Sequence, residues 1–223
     1  IPARRLAAKY SPAENLSFKA GLNSLTQYIH LISNTSAVSP MDTWKLSDAA
    51  IKPTWGWQGA GGVYWTELNT GIDLSAELYY KNTRNALDYK PGAQLSMNPD
   101  LADDLLPVYG RSYGVELMAK KTTGKLTGWL SYPYSRAHLK EMQDRGNETI
   151  AKGGWYNAPY DKPHEFKLVT NFALTHRYSF SVNVDYSTGR PVTVPLGMYW
   201  YGGKWRMAYA ERNSFRIPGY FRT

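Results

Sequence analysis

The 223-residue sequence contains no cysteine. That absence excludes a disulfide framework and any metal site built on thiolates. The four histidines, His30, His138, His164 and His176, lie far apart and show no spacing typical of metal ligands. We therefore predict neither a bound metal nor a cofactor. No stretch of about 18 apolar residues occurs either, which excludes a transmembrane helix.

Features of nucleic-acid-binding proteins and of enzymes are also missing. Lys and Arg number 26 against 18 Asp and Glu, a formal charge of +8, yet the basic residues form no run and no helical stripe. No nucleic acid is predicted as a partner. Ser112 and His164 lack the nucleophile elbow and the oxyanion donor that a hydrolase needs. The chain is therefore predicted not to be an enzyme.

What the sequence does contain is alternation with a period of two residues. In the segment GVELMAKKTTGKLTGWLSYPYS (114–135), Val115 and Leu117 alternate with Glu116 and Lys120. A tight stretch at 121–124 separates this run from a second one, which indicates an antiparallel hairpin with one apolar and one polar face. The same alternation recurs at 16–23, 72–81, 165–174 and 178–186. We predict about nine strands and one short helix, from Asn98 through Leu106.

Short and long connections alternate between the predicted strands. The predicted strands include 3–10, 16–32, 54–67, 72–88, 164–174 and 178–187. The short turns fall near Ser11-Pro12, at 69–71, at 121–124 and at 175–177, and the long links at about 33–53, 89–110, 136–163 and 188–211. In an up-and-down sheet, all the short turns then lie at one end and all the long links at the other. Outer-membrane barrels show this asymmetry, whereas loops beyond about 12–15 residues are uncommon in compact soluble domains.

The alternation therefore predicts an all-β fold, an antiparallel up-and-down transmembrane β-barrel that is only partial in this chain. In such a barrel Val115 and Leu117 face lipid, and the polar face lines the lumen. The predicted lumen-lining residues are Glu77, Glu116, Lys120, Asn183 and Asp185. Aromatic residues make up 14% of the chain, with 18 Tyr and 8 Trp. Several of the tyrosines approach the long-loop end, where they are expected to form an interfacial girdle: Tyr28, Tyr80, Tyr132, Tyr134 and Tyr186.

Seven phrases, in chain order, resemble the barrel of TonB-dependent outer-membrane receptors, in particular the kind with a carboxypeptidase-regulatory-like domain at its N-terminus. They are QYIHLISNTS (27–36), SPMDTWKLS (39–47), LSAELYYKNTRNALDYKPGAQL (74–95), SYGVELMAKKTTGKLTGWLSYPYSR (112–136), YDKPHEFKL (160–168), STGRPVTVP (187–195) and ERNSFRIPGYFR (211–222). The resemblance covers nearly the whole chain. One departure is Pro133, where the family usually has a threonine. Since proline cannot donate a ladder hydrogen bond, a bulge or an earlier strand end is expected there.

The resemblance implies a plugged barrel of about 22 strands in the bacterial outer membrane. Its activity would be ligand-gated uptake of a scarce nutrient, energised through a periplasmic contact with the TonB complex. The implied partners are outer-membrane lipid and lipopolysaccharide. The plug, the N-terminal domains and the TonB-contacting segment are absent from 1–223, so we expect this chain to be a later part of the barrel. A surface lipoprotein partner is left open, as is the substrate: an iron chelate, a vitamin, a peptide or a glycan.

Aromatic residues beside glycines and charges in the long loops are typical of ligand recognition. The predicted substrate-binding residues are Trp155, Tyr156, Arg190, Tyr199, Trp200 and Tyr201. Packing between loops at the barrel mouth explains the aromatic residues equally well. Arg190, Lys204 and Arg206 are predicted to attract an anionic ligand or lipopolysaccharide.

Two functional alternatives remain open from the sequence. One is a soluble or surface β-rich binding module that shares only the strand pattern, which the strict alternation of connections disfavours. The other is a purely structural barrel subunit of a larger outer-membrane assembly, without transport of its own.

Overall fold

A computed structural model describes residues 3–32, 43–90, 93, 98, 100–144, 146 and 149–223. Within these residues the chain forms strands almost throughout, together with a 3₁₀ turn at Ile150–Gly153 and one short α-helix. In chain order the elements are β1 (Arg4–Ala13), β2 (Leu16–Gln27), β3 (Ile29–Ile32), β4 (Thr43–Leu46), β5 (Thr54–Glu67), β6 (Ile72–Tyr89), α1 (Leu101–Asp104), β7 (Leu105–Lys121), β8 (Leu126–Glu141), β9 (Tyr156–Asn157), β10 (Glu165–Ala173), β11 (Ser179–Ser187), β12 (Pro191–Val192), β13 (Pro195–Tyr201), β14 (Lys204–Tyr209), β15 (Phe215–Arg216) and β16 (Tyr220–Arg222).

One antiparallel sheet dominates the fold. Its strand order is β1-β2-β5-β6-β7-β8-β10-β11-β16, which follows the order of the chain, and β9 extends it by pairing with β8. Three two-stranded sheets, β3–β4, β12–β15 and β13–β14, lie within the connections. The prediction of an all-β, antiparallel up-and-down sheet is confirmed. Among the described residues β1 pairs only with β2 and β16 only with β11, so these strands do not close into a barrel.

The alternation of connection lengths is also confirmed. Short turns at 14–15, 68–71, 122–125 and 174–178 join β1 to β2, β5 to β6, β7 to β8 and β10 to β11. Long connections at 28–53, 90–104, 142–164 and 188–219 join the remaining strands of the main sheet. Because the sheet is up-and-down, the short turns lie at one end, the short-turn end, and the long connections at the other, the long-loop end.

Several boundaries differ from the sequence prediction. The first strand continues through Pro12 to Ala13, with a register irregularity between Tyr10 and Ala13 that accommodates the proline. The predicted strand 16–32 divides into β2 and β3. The helix is shorter than predicted because Leu105 and Leu106 pair with Tyr89 and Asp88 in the β6–β7 ladder. Pro99, the predicted first helical residue, lies outside the described residues.

Neither alternative considered for Pro133 holds. Strand β8 runs through Pro133 to Glu141, and its register against β7 is unbroken at the Glu116–Pro133 pair. The ladder to β10 instead stops at Ser131 and returns as a single bridge between Tyr134 and His164. The missing donor of Pro133 therefore falls in an interruption of the β8–β10 ladder.

Buried apolar residues collect at the long-loop end. One cluster joins β7 and β8 to the 142–164 connection and contains Leu106, Val108, Ala137, Leu139, Ile150, Tyr156 and Ala158. A second cluster joins Ile32, Ile51 and Leu105. No described helix is long and apolar enough to cross a membrane.

Candidate functional site

The two faces of the main sheet differ in chemistry, as the period-two pattern predicts. Cross-strand register places Leu78 opposite Val115 and Leu6 opposite Leu22 on one face, the outward face. Large apolar side chains on this face are exposed along the whole sheet, among them Leu6, Phe18, Leu22, Leu78, Val115, Leu117, Phe172, Phe180 and Val182. Exposed apolar side chains on successive strands of one face are typical of an interaction surface.

Small residues make a groove in the outward face. Ala8, Ala20 and Gly61 are neighbours across β1, β2 and β5, and a groove of about 520 Å³ lies over them. Its rims include Tyr10, Phe18, Val63 and Leu78. Gly59 and Gly61 therefore lie on the outward face and Gly62 on the opposite one, and Gly61 opens the groove.

The five predicted lumen-lining residues all fall on the opposite, inward face. Glu77 lies directly across from Glu116 in the β6–β7 ladder. Lys120 is opposite Asp73, and Asp185 is opposite Lys167. Asn183, two residues from Asp185, shares its face and pairs with Val169. The inward face thus combines carboxylates, lysines and amides, a surface suited to water or to a polar partner.

The girdle tyrosines lie on the outward face, close to the long-loop end. Tyr80 is opposite Tyr113. Tyr132 and Tyr134 both contact His164, with a 2.8 Å hydrogen bond between the Tyr132 hydroxyl and Nδ1 of the histidine. Tyr186 on β11 is also exposed. Tyr132 and Tyr134 are opposite Leu117 and Val115, so these tyrosines adjoin the apolar surface, and Tyr28, between β2 and β3, is exposed.

Two of the predicted substrate-binding residues belong to the 142–164 connection. Trp155 is partly exposed, and the Arg111 guanidinium lies 4.1 Å from its ring centroid. Tyr156 is 5% exposed, and its hydroxyl donates a 2.7 Å hydrogen bond to Asp88. Burial raises the pKa of Tyr156, and the neighbouring Asp88 carboxylate raises it further. Tyr156 therefore remains a neutral hydrogen-bond donor within the loop packing.

The other aromatic residues form a free-standing hairpin, β13–β14. Its two-residue turn is Gly202-Gly203, and both glycines have positive φ, as the tight turn of a two-residue hairpin requires. Register places Trp200 opposite Trp205 and Met198 opposite Met207 on one side of the hairpin. The other side carries Tyr199, Tyr201, Lys204 and Arg206, with Arg206 5.4 Å from the Tyr201 ring centroid. Tyr199, Trp200 and Tyr201 are all exposed.

A buried ion pair ties three segments together around Asp88, and we call it the Asp88 centre. The Asp88 carboxylate at the end of β6 accepts hydrogen bonds from Arg212 and from Tyr156. Arg212 also donates to the Tyr89 carbonyl, and its guanidinium lies 4.2 Å from the Tyr89 ring centroid. The side chains of Asp88 and Arg212 are 5% and 10% exposed. Paired and hydrogen-bonded in this way, the two charges tolerate burial.

A second buried carboxylate organises the Asp161 centre. Asp161 accepts hydrogen bonds from the Ala137 amide and from Arg216, both at 2.7 Å, and lies 3.5 Å from Arg136. Arg216 also donates to the carbonyls of Asp161 and Gly189. The two centres are linked by Asn157 and Asn213, each of which donates its side-chain amide to the other's backbone carbonyl. The 142–164 and 188–219 connections are therefore fixed to β6 and β8.

Sequence reasoning missed the role of these charged residues. From the sequence, the Asp161-Lys162-Pro163-His164 corner indicates a rigid joint between loop and strand, with ligand contact as the less favoured alternative. Arg212 and Arg216 lie within the phrase ERNSFRIPGYFR, but no local pattern connects them with carboxylates 55 and 124 residues away. Arg190, in the same connection, accepts a backbone hydrogen bond from Ile217.

Comparison of the chain with models of protein families, with curated proteins and with solved structures found no match. Among the described residues, no group of three or more His, Asp or Glu side chains could hold a metal ion.

Proposed function

We propose that this chain is a segment of the barrel wall of a TonB-dependent transporter in the bacterial outer membrane, with ligand-gated nutrient uptake as its activity. The observation that carries the proposal is the outward face. It exposes apolar side chains on successive strands, while the inward face is polar. Lipid acyl chains accommodate such a surface, as they do on the outer wall of an outer-membrane barrel.

The arrangement of the connections supports the same proposal. Short turns at one end and long, internally packed connections at the other match the two environments of an outer-membrane protein, the periplasm and the cell exterior. The inward residues Glu77, Glu116, Lys120, Asn183 and Asp185 would then line the lumen and face a plug. Uptake, the TonB complex and the outer-membrane location rest on the family resemblance together with these features.

The β13–β14 hairpin and Trp155 are the proposed first contacts with the ligand. The hairpin presents Trp200 and Trp205 edge to face on one side, and Tyr199 and Tyr201 beside Lys204 and Arg206 on the other. This suits a ligand with apolar or planar parts and negative charge. Tyr156 and Arg190 would act through the packing of the connections rather than from an open surface.

A pair of adjacent single-cysteine variants tests the membrane assignment, because the chain has no cysteine of its own. Leu117→Cys and Glu116→Cys are each spin-labelled in the full-length protein in native outer membranes. At position 117 we expect the label to be accessible to oxygen, which partitions into lipid, and at position 116 to a water-soluble nickel complex. If both labels respond to the nickel complex alone, the outward face does not meet lipid and the proposal fails.

Transport itself is tested with cells. Deletion of the β13–β14 hairpin turn and its flanking aromatic residues (199–205) should abolish energy-dependent growth on the nutrient while the protein stays in the outer membrane. A variant that replaces only Gly202-Gly203 with Asn-Gly keeps the turn geometry and serves as the control. Unchanged growth in the deletion variant would remove the hairpin from the ligand-binding role.

A further inference from the structure

Three nitrogen-bearing side chains meet on the outward face, just beyond the girdle tyrosines. Arg111 on β7 is directly opposite His138 on β8, and Tyr113 is directly opposite Arg136. Here β8 pairs with β9 instead of β10, and His138 is opposite Asn157. The three side chains, Arg111, Arg136 and His138, are called the cationic cluster. It lies on the same face as the apolar residues Val115 and Leu117, four to six residues further along β7.

Aromatic rings hold the cationic cluster in place. The Arg111 guanidinium lies over Trp155, and the rings of Tyr113 and His138 are stacked with centroids 6.1 Å apart. Arg136 Nη2 is 3.4 Å from His138 Nε2 and donates a 3.0 Å hydrogen bond to Asn157 Oδ1. The donors are thus positioned by packing instead of being free to move through solvent.

The carboxylates near the cationic cluster do not balance its positive charge. Asp161 is 3.5 Å from Arg136, but it is shared with Arg216, which is closer at 2.7 Å. Arg111 has no carboxylate partner among the residues that the structure describes. One carboxylate therefore faces three guanidinium groups.

Hydrogen-bonding capacity is likewise unused. Among the described residues, Arg111 Nε and His138 Nδ1 are shielded from solvent and have no hydrogen-bond partner, and Arg136 Nε has only the Asp161 carboxylate, 3.5 Å away and too long for a good hydrogen bond. Buried polar atoms in native proteins are nearly always paired, and unpaired ones call for a ligand or an ordered acceptor. Two such atoms beside a weakly paired third indicate a site that is completed by an oxygen-rich anion.

We propose that the cationic cluster binds the phosphate group of a membrane lipid. Guanidinium groups bind phosphate oxygens through paired, charge-assisted hydrogen bonds. A lipid is the source because the cluster is continuous with the exposed apolar surface. Its phosphate would lie at Arg111 and Arg136 and its acyl chains along Val115 and Leu117. The lipid source rests on the proposed membrane location, whereas the affinity for an oxyanion does not.

The test compares Arg111→Gln with the intact chain. Arg111 has no ion pair to lose among the described residues, so this variant is expected to fold. Arg177→Gln, in the exposed turn at the short-turn end, makes the same charge change far from the cluster. Each protein is reconstituted in phosphatidylcholine vesicles that contain a minor fraction of phosphatidic acid. Lipids retained after gentle detergent extraction are then counted by native mass spectrometry.

We expect phosphatidic acid to be enriched over its bulk fraction on the intact chain and on Arg177→Gln, and several-fold less on Arg111→Gln. Equal enrichment on all three would overturn the lipid site. A second measurement follows the melting temperature in detergent as inorganic phosphate replaces chloride at constant ionic strength. A ligand that binds the folded state raises this temperature, so phosphate should stabilise the intact chain and Arg177→Gln more than Arg111→Gln.

The two measurements separate the possible failures. Phosphate stabilisation that depends on Arg111, without enrichment of phosphatidic acid by inserted protein, would overturn the lipid source and leave a site for a free phosphate. Protein that fails to insert into vesicles while phosphate still acts through Arg111 would overturn the proposed membrane function and keep the anion site. Phosphate that acts equally on Arg111→Gln would overturn the site itself.

Discussion

The two ends of the sheet are built on different principles. At the short-turn end, a few residues reverse the chain between neighbouring strands, and side chains such as Glu14, Leu68 and Thr122 remain exposed. At the long-loop end, the connections carry their own strand pairs, two apolar clusters and two buried carboxylate centres. Stability that does not depend on the sheet's outward surroundings is therefore concentrated at one end of the molecule.

The largest expected effect comes from the Asp161 centre. Asp161→Ala removes the buried carboxylate that holds Arg136 and Arg216. The two partly buried guanidinium groups then lack their counter-charge, and the Ala137 amide loses its acceptor. We expect the free energy of unfolding in detergent to fall by about 3–5 kcal/mol. Glu14→Ala, in an exposed turn at the short-turn end, should change it by less than about 0.5 kcal/mol. Similar losses in the two variants would contradict the difference between the ends.

A second comparison uses two leucines of the same strand. Leu139 is 4% exposed in the apolar cluster of the long-loop end, whereas Leu126, at the start of β8, is 50% exposed. Leu139→Ala should lower the free energy of unfolding by about 2–5 kcal/mol because it leaves a cavity. Leu126→Ala should lower it clearly less. Denaturant unfolding of both variants in the same detergent decides the point, and equal losses would mean that the cluster is not a core.

Tyr156→Phe sharpens the comparison at the Asp88 centre. Removal of the hydroxyl leaves one Asp88 oxygen without its 2.7 Å donor, so a loss of about 1–2 kcal/mol at neutral pH is expected. Tyr10→Phe, in the exposed strand β1, serves as the control and should be neutral.

The ionisation of Tyr156 should also be visible in the pH dependence of the free energy of unfolding. Burial raises the pKa of Tyr156 above the ordinary tyrosine value, so the folded state keeps the proton that the unfolded state releases. The stabilising contribution is complete below about pH 10 and decreases as the pH rises further. The difference between the intact chain and Tyr156→Phe should therefore shrink above about pH 10. A constant difference across that range would show that the hydroxyl is not buried.

The smallest expected effect concerns the inward face. Glu77 and Glu116 lie directly opposite each other, and like charges in this arrangement repel. Glu116→Gln should raise the free energy of unfolding by about 0.2–1 kcal/mol, with a larger gain at low salt. Lys120→Gln, which removes the charge opposite Asp73, should do the reverse. A destabilised Glu116→Gln variant would show that a cation near the pair compensates its repulsion.

The sheet was predictable because its determinants are local. Alternation within 72–81 and 114–121 defines both the strands and their faces, and turn residues such as Gly71 and Gly124 mark the reversals. The C-terminal end of helix α1 was not predictable. The cap signals before Leu101 favour a longer helix, but Leu105 pairs with Tyr89 in the β6–β7 ladder instead. Propensity is a weak guide where a tertiary ladder competes.

The charged centres could not be predicted for a different reason. Asp88 meets Arg212, and Asp161 meets Arg216, only after the connections have folded over the end of the sheet. Nothing in the spacing of these residues marks them as partners. Of the predicted ligand-binding residues, the exposed aromatic run at 199–201 and Trp155 stay predictions, and Tyr156 is buried against Asp88.

The strand order also has a consequence for how the chain folds. Apart from the short β9, every strand of the main sheet from β2 to β11 pairs with the strand before it in the order β1-β2-β5-β6-β7-β8-β10-β11, and four of these pairings close loops of only a few residues. Closing short loops costs little chain entropy, and sheets dominated by such contacts form quickly. The strands can therefore pair one after another, in the order in which the chain is synthesised. β16 reaches β11 across the 188–219 connection, the longest of the four long connections, so its docking is expected to be the slowest step.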